Sequence, residues 1–326
     1  MVAPDRVWEA PDPVAAFFSA ARSGRPVALP TSGTTGAART VIRSPASWLD
    51  PAPILAERIE LDTRSRVWIP GPLTATMNLY AAVLARAAGA RRVNSAAEAT
   101  HLQLTPHQLA AVSDLAGRTV VVAGDRLARQ RRRAAERAGA RVHHYYGAAE
   151  LSFVAWGTDA EDLRAFPGVE IDLRDGVCWV RSAYLADDVS GPPGRWQRDG
   201  RGFATVGDSA RWVGDCLRVT GRGDTIITAG ATVLAGDVEQ VLAAGLAGEV
   251  AVIGLHHGRL GEVVAAVLSD PGDRRPAQLS ARALRPAERP RRWFVVPEWP
   301  STPAGKLDRA ALAAAIALLP GPGRGG

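Results

Sequence analysis

Lysine is almost absent from this sequence: of its 39 basic residues, all but Lys306 are arginine. Cysteine is nearly as scarce. Cys178 and Cys216 are the whole set, which excludes a disulfide framework and a multi-cysteine metal site. No run of 18 apolar residues occurs, and the opening stretch MVAPDRVWEAPDP lacks the apolar core of a secretory leader. The expectation is therefore a cytoplasmic protein with no membrane partner. The formal charge of +6 comes with the arginine skew, which reads as compositional bias trading lysine for arginine. No nucleic-acid partner is expected from it. A lysine kept against that bias marks a place that needs a compact point donor and not a planar fork.

What is present is a chain of 326 residues, more than one core of about 250–300 residues usually spans, so a large domain and a smaller one are expected. Between residues 66 and 147 apolar strands (RVWIP, TVVVAG, RVHHYYG) alternate with helical stretches at 74–89, 106–117 and 126–139. Short strands alternating with helices predict an α/β domain, its mixed or parallel sheet covered by helices. VEIDLRDGVCWVRS (169–182) turns at Asp175-Gly176, a type I′ hairpin signal, and ARWVGDCLRVTG (210–221) turns at Gly214-Asp215. These form an antiparallel annex. The boundaries expected are 1–221 for the large domain, 222–319 for a small mobile α+β domain, and 320–326 for a disordered tail.

The chemistry-bearing segments come in order. VALPTSGTTGAART (27–40) is an apolar strand running into Thr31, Ser32, Gly33, Thr34, Thr35 and Gly36. Glycines there let successive N–H groups curl around an anion, and the hydroxyls add donors. YYGAAE (145–150) ends the last parallel strand, where open α/β sheets bind ligands; an aromatic there can stack on a base. Glu150 offers the hard oxygen that Mg²⁺ prefers. Asp208, in ATVGDSARW, can accept both hydroxyls of a ribose. GRGDTIITAG (221–230) and PSTPAGKLDR (300–309) follow.

Those five segments in that order resemble the adenylate-forming superfamily of acyl-CoA synthetases, non-ribosomal peptide adenylation domains and luciferases. The compactness and the GRGDTIITAG segment look most like o-succinylbenzoyl-CoA synthetases. The resemblance covers nearly the whole chain. It implies that Thr31 to Gly36 cradle the ATP phosphates, that Tyr146 and Gly147 face the adenine, and that Glu150 binds Mg²⁺. Asp208 and Arg222 would hold the ribose, and Asp224 would be a hinge. Gly230 would line a thiol tunnel, and Lys306 would bridge the carboxylate and the α-phosphate. It further implies ATP, Mg²⁺ and coenzyme A, with a small carboxylic acid as substrate. Transfer to a carrier-protein thiol or an amine is the alternative, as is a non-catalytic member that binds without turnover. A homo-oligomer is left open.

The sequence departs from the family in places. Arg39 stands where the phosphate loop continues with lysine, and Ala149 replaces a threonine beside the glutamate. GPLTATMN (71–78) replaces a histidine- or aromatic-bearing segment beside the acyl pocket, so an unusual acyl pocket is expected. Trp156 is a candidate wall for it. The arginine run from Arg126 to Arg137 reads as a solvated helix face, and His143-His144 and His256-His257 as structural or surface residues.

Overall fold

In the computed structural model the described residues are 3–30, 39–191, 195–221, 225–303 and 305–319. They form two compact units. One comprises Met1–Val219 with Pro303–Lys306, the other Thr220–Thr302 with Leu307–Gly326.

The first unit opens with β1 (Asp5–Arg6), α1 (Pro13–Arg22), β2 (Val27–Pro30) and β3 (Thr40–Arg43). Asp12 caps α1 by accepting from the Ala15 amide, and Pro13 follows at the position where a missing N–H costs nothing. Then come α2 (Ala46–Leu49), α3 (Ala52–Arg58), β4 (Arg66–Trp68), α4 (Thr76–Ala87), β5 (Arg91–Val93), β6 (His101–Leu104) and α5 (Pro106–Ala110). β7 (Thr119–Val122), α6 (Arg129–Arg137), β8 (Arg141–Ala148), β9 (Ser152–Gly157) and β10 (Arg164–Ala165) complete the central layer. The sheet runs β10-β9-β8-β7-β6-β4-β5; β5, β4, β6, β7 and β8 are parallel, while β9 pairs antiparallel with β8 and β10 antiparallel with β9. Because side chains alternate along a strand, Val121 faces α3 and α4, whereas Val120 and Val122 face the core under α5 and α6. The expected α/β sheet covered by helices is what forms.

One helix is shorter than its pattern. The helix expected over 106–117 ends at Ala110. A capping box of Thr105 and Gln108 starts it, but Ser113 and Asp114 favour bonds to nearby groups over helix continuation, and Asp114 instead pairs with Arg118 at 2.5 Å.

The annex is antiparallel, as expected. Its strands are β11 (Glu170–Arg174), β12 (Val177–Arg181), β14 (Gln197–Arg198), β15 (Ala204–Thr205), β16 (Ser209–Val213) and β17 (Cys216–Gly221); β13 (Asp188–Ser190) joins the small sheet with β1, β2 and β3. The β11–β12 turn has φ of 49° at Asp175 and 77° at Gly176, the two positive values a type I′ turn requires.

The second unit has β18 (Thr225–Thr228), β19 (Ala231–Leu234), α7 (Ala235–Leu242), β20 (Val250–His257), β21 (Gly261–Leu268), α8 (Arg274–Ser280), β22 (Arg292–Val295) and α9 (Arg309–Ala317). Its sheet runs β19-β18-β21-β20, with β22 parallel to β21. Arg309 forks onto both carboxylate oxygens of Glu239 at 2.7 and 3.1 Å, tying α9 to α7.

Candidate functional site

The end of β8 organises the site. Tyr145 faces the core beneath α3 and α4, while Tyr146 packs with the annex core. A β-bulge follows between Tyr146 and Gly147. A side chain at Gly147 would place Cβ 2.2 Å from the Ser152 carbonyl oxygen, so only glycine fits this turn.

Two buried carboxylates flank that strand end. Asp208 is 4% exposed and accepts a 2.5 Å hydrogen bond on Oδ2 from the Tyr146 phenol. Its backbone is fixed as well. The Asp208 carbonyl accepts from the Cys178 amide at 2.8 Å, and Gly207, at φ 78°, makes the turn out of β15. Thr205 Oγ1 braces that turn, donating to the Cys178 carbonyl at 2.6 Å and accepting from the Gly207 amide at 3.0 Å.

Glu150 is 2% exposed, and its main-chain carbonyl accepts from the Ala186 amide at 2.9 Å. Among the described residues its carboxylate has an ion pair with Arg39, whose Nη2 is 3.9 Å from Oε1, too long for a hydrogen bond. Further along β3, Arg43 is fully buried. It donates through Nη2 to the Tyr184 carbonyl at 3.1 Å, and its Nε and Nη1 have no partner among the described residues. Burial pulls its pKa down to about 10, against the opposing pull of Asp187, Tyr80 and Glu150.

Among the described residues no group of three His, Cys, Asp or Glu side chains could hold a metal by itself. A buried carboxylate with no hydrogen-bond donor on it among the described residues does fit Mg²⁺ arriving with a nucleotide, because that ion is usually held by one or two carboxylates plus substrate phosphates.

Lys306 falls in the first unit. Thr105 Oγ1, just past β6, donates to the Gly305 carbonyl at 2.6 Å. A Cβ on Gly124 would lie 2.9 Å from Lys306 Cε and 3.3 Å from Met77 Sδ. Val122 pairs with His144, so Gly124 and Tyr146 both lie two residues beyond the last paired rung, at the carboxyl edge of the parallel sheet. That is the edge at which open α/β folds bind ligands.

Gly230 lies in the second unit, at the β18–β19 turn, with φ of 80° after Ala229 at 50°. Thr31, Ser32, Gly33, Thr34, Thr35, Gly36, Arg222 and Asp224 lie outside the described residues. The residues brought together are thus Tyr146 with Asp208, Arg39 with Glu150, and Lys306 with Gly124.

The arginine run expected as a solvated helix face is instead partly tied into the fold, because buried Asp159 draws guanidinium groups onto it. Arg132 and Arg129 on α6 pair with Asp159, and Arg129 also pairs with Glu161. His144 is buried, its Nδ1 2.8 Å from the Val122 carbonyl. Arg43 was not singled out from the sequence. Its signal is a basic residue at an inward position of the alternating strand TVIR.

No protein-family model matches the chain. It is 31% identical over 324 residues to the probable 2-succinylbenzoate–CoA ligase of Mycobacterium tuberculosis, covering 86% of this chain and 82% of that protein. Its fold matches an E. coli MenE variant with bound OSB-AMS at a TM-score of 0.76 and 21% identity, covering 90% of this chain and 69% of that one. It also matches the amide bond synthetase McbA from Marinactinospora thermotolerans at 0.72 and 24%, covering 87% and 68%. The chain belongs to the adenylate-forming superfamily, on the side of the acyl-CoA ligases. Among the described residues no helix is long and apolar enough to cross a membrane.

Proposed function

We propose that this protein activates a small carboxylic acid with ATP and passes the acyl group to the thiol of coenzyme A. The observation that carries the reading is the bond from half-buried Tyr146 to buried Asp208 at the carboxyl edge of β8, four residues ahead of the buried Glu150. An acid substrate's carboxylate oxygen attacks the α-phosphorus, the bond to the β-phosphate breaks, and pyrophosphate leaves. A thiolate then attacks the acyl carbon and AMP leaves, with the thiol proton passing to solvent.

Each residue has a role in that scheme. Thr31, Ser32, Gly33, Thr34, Thr35 and Gly36 donate to the phosphates. Tyr146 offers its ring to the adenine, and Gly147 lets the backbone approach it. Asp208 and Arg222 hold the ribose hydroxyls. Glu150 would hold Mg²⁺, which supplies charge neutralisation at the phosphates when bound. Lys306 donates to the carboxylate and α-phosphate oxygens, where negative charge is redistributed in the transition state. Asp224 is the hinge between two arrangements, and Gly230 lines the thiol path. An acyl-adenylate hydrolyses readily, so a site that closes is useful.

The thiol acceptor, in preference to an amine, rests on the name of the M. tuberculosis relative, which is a CoA ligase. The test is exchange of labelled pyrophosphate into ATP in the presence of candidate acids, followed by thioester detection with coenzyme A. Acid-dependent exchange is expected. Nucleotide binding with no exchange for any acid would point to the non-catalytic alternative.

A further inference from the structure

An apolar cavity of about 30 Å³ lies inside the first unit between the central sheet and α3 and α4. Its walls include Tyr80, Leu84, Tyr145, Phe153 and Trp156, with Gln103 as a polar group on its sheet side. Tyr145 connects it to the candidate site, since the next residue along β8 is Tyr146, which points to the opposite face and bonds Asp208.

Two features of this lining select chemistry. Gln103 is 7% exposed and its Nε2 has no hydrogen-bond partner among the described residues. A buried amide donor left unmade is costly, so a ligand acceptor placed there gains more than one in water. The second feature is charge. No lysine, arginine or carboxylate is among the lining residues. Burial raises the pKa of the Tyr80 and Tyr145 phenols and keeps them neutral; the third titratable ring, His101, is 2.8 Å from the Ile59 carbonyl through Nε2 and 2.9 Å from Thr100 Oγ1 through Nδ1. Burial lowers its pKa, which keeps it neutral near pH 7. A carboxylate driven into such a cavity would be an unpaired buried charge.

Resting on the acid-activating role proposed above, we infer that the acid is a monocarboxylate whose remote end is uncharged and apolar and carries one hydrogen-bond acceptor read by Gln103. This separates the chain from a relative named for 2-succinylbenzoate, which is a dicarboxylate. A cavity of 30 Å³ has room for roughly one or two water-sized groups. A short tail enters as the walls stand, and a bulkier one requires side chains such as Leu84 or Trp156 to shift.

The experiment measures kcat/KM for pyrophosphate release with three acids of matched length: pentanoate, 4-oxopentanoate and glutarate. The two monoacids should exceed the diacid by about a hundredfold, and the keto acid should exceed pentanoate by roughly three- to tenfold. Gln103→Leu should bring the keto-to-hydrocarbon ratio close to one; Gln103→Met serves if the leucine variant does not fold. Preference for glutarate, or an unchanged ratio in a folded Gln103 variant, overturns the inference while leaving acid activation intact. If no acid releases pyrophosphate, the functional reading fails separately. The cavity is then judged by binding, through fluorescence quenching present in the parent and absent in Trp156→Phe. Quenching by 4-oxopentanoate and not by glutarate supports the inference; equal quenching, or none, overturns it.

Discussion

The phenol of Tyr146 and the carboxylate of Asp208, 62 positions apart, meet in a 2.5 Å hydrogen bond beneath the annex sheet. Such a bond to a charged acceptor is short and strong. It aims the carboxylate and fixes the tilt of the ring with one contact.

If Asp208 holds the ribose, Asp208→Ala raises the KM for ATP about tenfold to a hundredfold, the value of roughly 1.5–3 kcal/mol in bonds to a charged group. Tyr146→Phe keeps the ring and loses the aiming bond, so its effect is smaller, about three- to tenfold. ATP titrations of pyrophosphate exchange measure both. A parental KM in folded Asp208→Ala would remove the residue from the nucleotide site.

Lys306 tests the two-step scheme. Loss of a preorganised donor to transition-state charge costs ~10²–10³ in rate. Lys306→Ala is therefore expected to slow adenylation by that factor, yet to leave thioester formation from a synthetic acyl-adenylate within a few-fold of the parent. Lys306→Arg should not restore the rate, because the stem runs close beside Gly124 and a planar fork places its charge differently. Equal loss of both steps would refute separate roles.

Ala229 occupies the left-handed region at φ 50°, costly for a side-chain-bearing residue, in the turn beside Gly230. Ala229→Gly relieves that strain and adds unfolded-state freedom, so stability should stay level or rise by up to about 1 kcal/mol. Ala229→Val should lower it by about 1–2 kcal/mol, since β-branched residues fit this region worst. Urea unfolding of the three proteins gives the order; a valine variant as stable as the parent would contradict the strained turn.

His144 predicts a pH dependence. Burial pulls its pKa down to about 4 in the fold, from 6.5 in the open chain. Above pH 6.5 neither state binds the proton and the contribution is complete. As pH falls from 6.5 towards 4 the unfolded chain takes up a proton that the native chain resists, and stability is lost, by up to roughly 3 kcal/mol. His143 shifts the same way, through burial and then Arg141. The urea midpoint should drop between pH 7.5 and 5, and His144→Asn should drop less. Identical slopes for parent and variant would rule out His144 as a source.

Sequence alone determined whatever short-range chemistry controls. The strand and helix periods around α4, α6, β7 and β8 were legible because alternation of apolar and polar residues dictates which face is buried. The Asp175-Gly176 turn was legible because few residues accept positive φ. The motif order named the superfamily without any coordinates. By contrast β6, with the sequence HLQL, carries no clear apolar period, and its identity as a central strand comes from parallel neighbours on both sides. Only the tertiary structure joined Tyr146 to Asp208, set the Lys306 stem against Gly124, left Arg43 buried with two nitrogens unpartnered among the described residues, and placed Gln103 on a cavity lined with aromatic rings. Those relationships depend on which strands neighbour one another and on which face each side chain emerges. Both are fixed by burial summed over distant segments, which no local stretch of sequence records.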